Sequence, residues 1–406
     1  MKTSQIVSQK FHIPDAHTLA VAQEHGAYSA LSKLYTQEPT EIIELIKRSG
    51  LRGKGGGGAP AGAKWALMPQ ESAKPSFLVV NCDESEPGTF KDRQIITKDP
   101  HLLIEGIIIT CFAIKAKHAY VYIRGEYYQF QQILQKAVDE AYEAGLLQEL
   151  DITLHRGAGA YICGEKSALL ESLEGKRGHP RLKPKQPEPE WYFSNPTLVN
   201  NVETIASVPF IFQNGAEAYR SFGTEKSPGT LLFAMSGHVE RPGIYEAEFG
   251  TSMLDYINHY GGGVKAGKML KAVIPGGAST GVITAKEAGN VTLDYESLRA
   301  IGSALGTGGM IVMDESTCMV SALKNLLEFY HEESCGQCTP CREGTGWSDT
   351  LLEKILDKRG TASDIDKLLE IADVMNGKTI CVFAPAVSAV IVSFLTRFRD
   401  EFEAMV

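Results

Sequence analysis

The chain has 406 residues, 43% of them apolar and 22% charged, with a formal net charge of −9. At ~100–200 residues per domain, that length holds two or three domains, each able to bury its own core. Ordinary composition excludes a disordered tail or a coiled coil, and the acidic balance argues against a nucleic-acid partner, which would need a basic face.

The start, MKTSQIVSQKF, has no apolar signal core, so a cytoplasmic location is expected. Residues 40–49 read as a short helix: Pro39 and Thr40 open it, Ile42, Ile43, Leu45 and Ile46 share a face, and Gly50 stops it. A glycine-rich segment, 53–62, follows. Residues 76–81 form a short apolar strand, 102–115 an apolar helix, 118–124 a second strand, 128–144 an amphipathic helix and 151–155 a third strand. Strands alternating with helices predict a parallel, doubly wound α/β sheet. The apolar run 102–114 is the longest, and Glu105 and Gly106 interrupt it short of the ~20 residues of a membrane span, so no direct membrane insertion is expected. Residues 180–196, rich in Pro, Lys and Glu, read as an irregular connection. From about residue 228 a hairpin (230–235 and 244–245), a helix (252–260) and a strand near 272–274 predict a small α+β module. Helices are expected at 320–330, 344–358, 362–376 and 386–402.

Eight cysteines stand out in a chain read as cytosolic, where thiols are metal ligands or catalysts more often than disulfides. Cys335, Cys338 and Cys341 form C-x-x-C-x-x-C, and Cys381 follows forty residues later. Three thiolates at i, i+3 and i+6 plus one distant fourth is the ligand arithmetic of a [4Fe–4S] cluster. The competing reading, structural zinc, prefers two C-x-x-C pairs. Cys82, Cys111, Cys163 and Cys318 have no partner spacing and read as packed small residues.

Three loops carry further chemistry. The stretch LRGKGGGGAPAGAKW (51–65) sets consecutive glycines beside Arg52, Lys54 and Lys64; it is either a phosphate cradle or a plain glycine turn, and it is not a P-loop because G-K-[ST] is absent. Asn81 to Gly88 follows the first strand, where ligands of open parallel sheets bind; its acids Asp83, Glu84 and Glu86 suit either a solvated turn or hydroxyls and a ring edge. Gly157 to Glu165 leads from the third strand into a helix, placing amides at an anion, and Asn200-Asn201 offers two side-chain amides.

Together with DPHLLIEG, YIRGEY, SLEGKRGHPRLKP, NPTLVNNVET and ESCGQCTPCREG, these stretches resemble the flavin-carrying subunit of NADH:quinone oxidoreductase, respiratory complex I, over nearly the whole chain. The resemblance implies a flavodoxin-like or Rossmann-like FMN domain (1–227), an SLBB-type β-grasp module (228–315) acting as an interaction surface, and a helical [4Fe–4S] domain (316–406). By motif position it implies FMN phosphate and ribityl contacts among Gly53, Gly55, Gly56, Gly58, Gly62, Lys64, Asn200, Asn201 and Thr204. The flavin ring would be bordered by Asn81, Asp83, Glu84, Tyr161, Gly164 and Glu165, with Gly157, Gly159 and Lys166 as further cofactor-binding positions. Glu86, near the nicotinamide, and Tyr161 are the catalytic candidates. Hydride would pass from NADH to FMN, and single electrons to the cluster on Cys335, Cys338, Cys341 and Cys381. The implied partners are a thioredoxin-like [2Fe–2S] subunit and a large multi-cluster iron–sulfur subunit on the cytoplasmic face of the membrane.

The chain departs from that family at Ala59 and Gln186, where aromatics are usual, and at Lys166, where Glu is usual. A carboxylate there accepts from a ribose hydroxyl and repels a 2′-phosphate; a lysine reverses the preference. Either Trp191, Tyr192 or Phe193 replaces the lost stacking and NADH still binds, or the site has moved toward NADPH or lost its nucleotide, leaving an electron relay. A diaphorase of a soluble hydrogenase or formate dehydrogenase is the remaining alternative.

Overall fold

A computed structural model describes residues 5–406; the first four residues, part of the start read for a signal core, lie outside it. The first sheet contains β1 (Ser76–Cys82), β2 (Ala116–Ile123), β3 (Asp151–Arg156), β4 (Glu190–Tyr192) and β5 (Asn195–Asn201), in the order β3-β2-β1-β5-β4. β1 runs parallel to both β2 and β5, with Val80 opposite Asn200 and Asn81 opposite Asn201. Leu78, Val79 and Val80 are fully buried, as a central parallel strand covered on both faces requires. The helix Pro100–Ala113 covers one face and is buried almost all round, so its sequence shows no one-sided pattern. It begins two residues before the expected 102, because the Asp99 side chain accepts from Leu102 N and Pro100 occupies the first turn.

Residues 180–196 are not wholly irregular. Glu190–Tyr192 forms β4, an antiparallel edge strand on β5. The segment Asn195–Asn201 is a near-central strand that the sequence conceals, since Pro196 and three asparagines are poor strand formers; the proline sits at the strand's start, where a missing N–H is tolerated. Chain connections leave β1 toward β2 on one side, while β5 returns on the other. The crevice at the carboxyl ends of β1 and β5 is therefore the switch point of the sheet.

The second sheet, β6 (Thr230–Gly237), β7 (Gly243–Glu248), β8 (Leu270–Ile274), β9 (Ile283–Thr284) and β10 (Gly309–Asp314), has the order β7-β6-β10-β8-β9. Its central β10 is parallel to β6 and antiparallel to β8. The start of the chain is nailed to this sheet. Backbone amides of Ile6, Val7 and Ser8 donate to the buried Glu246 carboxylate on β7 at 2.8–3.1 Å.

The C-terminal helices are Met319–Glu333, Thr339–Leu356, Ala362–Met375, Phe383–Arg397 and Arg399–Glu403. The second begins five residues before the expected start because Cys338 opens it and Pro340 fits its first turn. The last expected helix is broken at Phe398. One apolar core joins Val79, Tyr122 and Val199 of the first sheet to Leu323, Phe383 and Ile391 of these helices. That shared core fixes the crevice against the helical cysteine region. Among the described residues no helix is long and apolar enough to cross a membrane.

Candidate functional site

Asn81, Asn200 and Asn201 stand at the carboxyl ends of β1 and β5 and line the crevice. The Asn81 Nδ2 donates to Gly164 O at 2.9 Å, and its Oδ1 accepts from Asp83 N at 3.0 Å, so one amide ties two predicted loops together. Asn200 accepts from Trp65 Nε1 at 3.0 Å, which leaves its NH2 to donate. Asp83 accepts from Ser85 Oγ through Oδ1 at 2.6 Å, while its buried Oδ2 has no partner. Burial pushes the Asp83 carboxyl up to about 7, opposed by the Ser85 hydrogen bond and Arg124. An orphaned buried oxygen in this crevice fits a ligand that brings its own donor, as the flavin ring edge and ribityl chain of FMN do.

A buried charge network that the sequence reading did not single out holds the loops in place. Glu203 accepts from Lys91 Nζ at 2.8 Å and from Lys54 Nζ at 3.3 Å, and all three side chains are essentially buried. Lys91 also pairs with Asp92 at 2.8 Å, and Asn201 Nδ2 donates to Asp92 at 2.6 Å. Lys54 N donates to Thr204 Oγ1 at 2.9 Å. The glycine loop, the segment after the acidic loop and the turn after β5 thus share one set of bonds. A cue was present: NNVET carries Glu203 just after β5 and FKDR sets Lys91 beside Asp92, but lysine is so seldom buried that spacing alone assigns it to the surface.

The glycines divide into two kinds. A Cβ at Gly58 would strike the Tyr295 ring, one at Gly62 the Lys47 backbone at 2.5 Å, and one at Gly157 the Tyr122 hydroxyl at 2.6 Å; a Cβ at Gly159 would meet Glu126 at 2.8 Å. Protein packing explains all four. Gly53 and Gly164 have only contacts of 3.5 Å or more, Gly56 meets only Thr307 at 3.7 Å, and Gly57 meets nothing within 4 Å, so that part of the loop is open to a ligand; Gly55 rests against Asn201. Arg52 braces the same loop. It donates to Gly58 O, pairs with Glu296 at 2.7 Å and lies 3.9 Å from the Tyr295 ring centre. Its charge is spent on the second module. The Lys64 ammonium donates to Val199 O. The Glu84 carboxylate accepts from Asp92 N, Arg93 N and Tyr127 OH, and Glu165 caps the helix Lys166–Leu173 through Ser167 N and Ala168 N.

Glu86 sits where all three parts of the chain meet. It accepts from Tyr161 OH and from Ser279 N, both at 2.6 Å. Burial raises its carboxyl above the usual range, while these two bonds oppose the rise. The Tyr161 ring packs edge-on against Phe329 (5.2 Å) and Phe383 (5.8 Å). Phe383 and Ile162 in turn line a small chamber with Cys335, Cys338, Cys341 and Cys381. The four cysteines are free thiols. Burial and the neighbouring cysteines push Cys381 up to about 11 and raise Cys341 as well, so a cationic core is what would let these thiols ionise together. All four cysteines line one chamber, and a run of three with one distant fourth fits a polynuclear cluster better than zinc. Cys82, Cys111 and Cys163 are buried away from this chamber, as packed residues.

Of the three aromatics offered as substitutes for lost stacking, Tyr192 is ruled out: it is buried against Phe77 (5.4 Å) and Tyr120 (5.1 Å). Trp191 lines a second cleft, of about 240 Å³, with Lys166, Arg181, Lys183 and Glu190. Gln186 is exposed on the same strap.

Known proteins match this geometry part by part. The family model described as the Nuo51 FMN-binding domain matches residues 46–210, the SLBB domain matches 231–312, and the NADH-ubiquinone oxidoreductase-F iron-sulfur binding region matches 321–405. An NADH-quinone oxidoreductase subunit of Mycobacterium tuberculosis is 48% identical over 99% of this chain and 93% of its own. Its counterpart in Rickettsia bellii is 45% identical over the whole of both chains. Among solved structures, the NAD+-reducing [NiFe]-hydrogenase in the H2-reduced state aligns with a TM-score of 0.85 and 33% identity, over 99% of this chain and 65% of that one. With all three regions matched in order and relatives this similar along their full length, the chain belongs to this family of NADH-quinone oxidoreductase subunits.

Proposed function

We propose that this chain is the NADH-oxidising flavoprotein subunit of an NADH:quinone oxidoreductase, carrying FMN and one [4Fe–4S] cluster. The observation that carries the reading is the turn Tyr161–Gly164: Gly164 borders the β1/β5 crevice, Tyr161 bonds Glu86, and Ile162 lines the cysteine chamber. Bound FMN supplies what no side chain can, acceptance of a hydride and release of single electrons.

The protein's part is to hold and orient. Gly53, Gly55 and Gly56, with Asn200, Asn201 and Thr204, receive the phosphate and ribityl chain, and Asn81, Asp83 and Gly164 border the ring. The free Asp83 oxygen accepts from the flavin. Glu86, fixed from two sides, marks the nicotinamide position beside the ring. Cys335, Cys338, Cys341 and Cys381 ligate the cluster, and the starts of the helices Thr339–Leu356 and Phe383–Arg397 favour its negative charge. Tyr161, Phe329 and Phe383 fill the space between crevice and chamber and keep water out. Docking on a thioredoxin-like [2Fe–2S] subunit and a multi-cluster iron–sulfur subunit, on the cytoplasmic face of the membrane, completes the reading.

Anaerobic NADH added to the FMN- and cluster-loaded protein should bleach the flavin. If dithionite bleaches it and neither NADH nor NADPH does, the chain is instead a relay fed by a protein donor. The hydrogenase likeness, at 33% identity against 45–48% for the quinone oxidoreductase subunits, supports the diaphorase alternative less strongly, and the identity of co-purifying subunits decides it.

A further inference from the structure

The cleft beside the crevice carries a charge arrangement that its composition conceals. Lys166, Arg181 and Lys183 line it and suggest an anion site. The first two cations are already committed. Arg181 pairs with Glu171 and with Glu174 at 3.0 Å, bracing the strap. The Lys166 ammonium lies on the Glu190 carboxylate, with the lysine side chain 45% and the glutamate 18% exposed. Behind this pair stands Lys64, whose ammonium is buried and pulled down to about 8 by burial and by Lys166, with Glu190 opposing. Lys64 is itself held by Val199 O, so Lys166 is the cation that the Glu190 charge clamps and that its removal would release.

The cleft adjoins the crevice through Glu165 and Lys166 and presents the Trp191 ring, 36% exposed, as a flat apolar wall. A purine can stack on such a wall, and a carboxylate at its side accepts from a ribose hydroxyl while repelling a phosphate. We propose that Glu190 is a specificity-determining residue: by clamping Lys166 it withholds the cation that a ribose 2′-phosphate would need, and so selects the dinucleotide with a free 2′-hydroxyl. The inference rests on the nicotinamide-oxidising reading and refines it. Lys166, taken alone, points toward a phosphorylated ribose; Glu190 reverses that sign.

The test uses the FMN- and cluster-loaded protein and two probes, ADP and adenosine 2′,5′-bisphosphate, whose affinities are measured by calorimetry alongside kcat/KM for NADH and NADPH. In Glu190→Gln the released Lys166 ammonium should raise the affinity for the bisphosphate relative to ADP by about tenfold, the scale of one charge-assisted hydrogen bond, and NADPH use should rise with it. Lys166→Met should lower the same ratio, because it leaves Glu190 bare, and the double variant should return close to the parent. A Glu190→Gln protein that melts like the parent and shifts the ratio by less than twofold overturns the proposal. Should that variant not fold, an unchanged ratio in Lys166→Met overturns it instead. Failure of the underlying reading has a separate signature: the parent protein's flavin is not bleached by NADH.

Discussion

Asp83 is the residue at which ligand and stability trade against each other. Its carboxyl is buried, bonded at one oxygen only, and held at about 7. The folded state therefore binds a proton that the unfolded chain has released. Stability of the cofactor-free protein should fall as pH rises from about 4 to about 7 and stay lower above. Asp83→Asn removes the ionisable group, so it should stabilise the cofactor-free protein at pH 8 by about 1–3 kcal/mol and leave it nearly unchanged at pH 4, as read from urea melts. The same variant should bind FMN more weakly, because an amide cannot offer a full negative charge to a flavin donor. At this scale the sequence was informative but coarse. The motif placed Asp83 beside the flavin, yet nothing in NCDESEPG distinguishes Asp83, with a free oxygen, from Glu84, whose carboxylate is consumed by Asp92 N, Arg93 N and Tyr127.

At the scale of elements, the three loops around the crevice stand or fall together through Glu203. Its carboxylate neutralises Lys54 from the glycine loop and Lys91 from the segment after the acidic loop, and it also accepts from Leu232 N on β6. Glu203→Gln would strip the buried Lys54 ammonium of this carboxylate and leave Lys91 to Asp92. It should cost about 3–5 kcal/mol in denaturant melts, and the loss should not be recovered at low pH. The elements most readily read in the sequence were those with a continuous apolar run, such as β1, or strong periodicity, such as the C-terminal helices. β5 was missed because its residues resemble a turn; its neighbours, not its propensity, make it a strand. The glycine loop was found, but which of its missing side chains face protein and which face open space depends on partners hundreds of residues away, Tyr295 and Thr307 among them.

Over the whole molecule, the two sheets and the helical region converge on Glu86 and Tyr161. Tyr161→Phe keeps the ring against Phe329 and Phe383 but removes the hydroxyl that Glu86 accepts from. The protein should keep its cluster absorbance and its melting profile. Reduction of the flavin by NADH should slow by about ten- to a hundredfold in stopped-flow traces, the worth of one hydrogen bond to a charged group, while reduction by dithionite should not change. A purely structural role for the hydroxyl would shift the melt instead. The family match covers the three regions separately; here Ser279 ties the middle region to Glu86, while Ile162, Pro180 and the helical region enclose the thiol chamber.

The anchoring of the first residues on Glu246 sets an order of events during synthesis. The amides of Ile6 and Val7 emerge from the ribosome some 240 residues before the carboxylate that receives them. At about 5–20 residues per second, this segment waits on the order of 10–50 s without its partner. Residues 6–8 thus settle only after β7 has formed, later than the first sheet, whose strands all precede it.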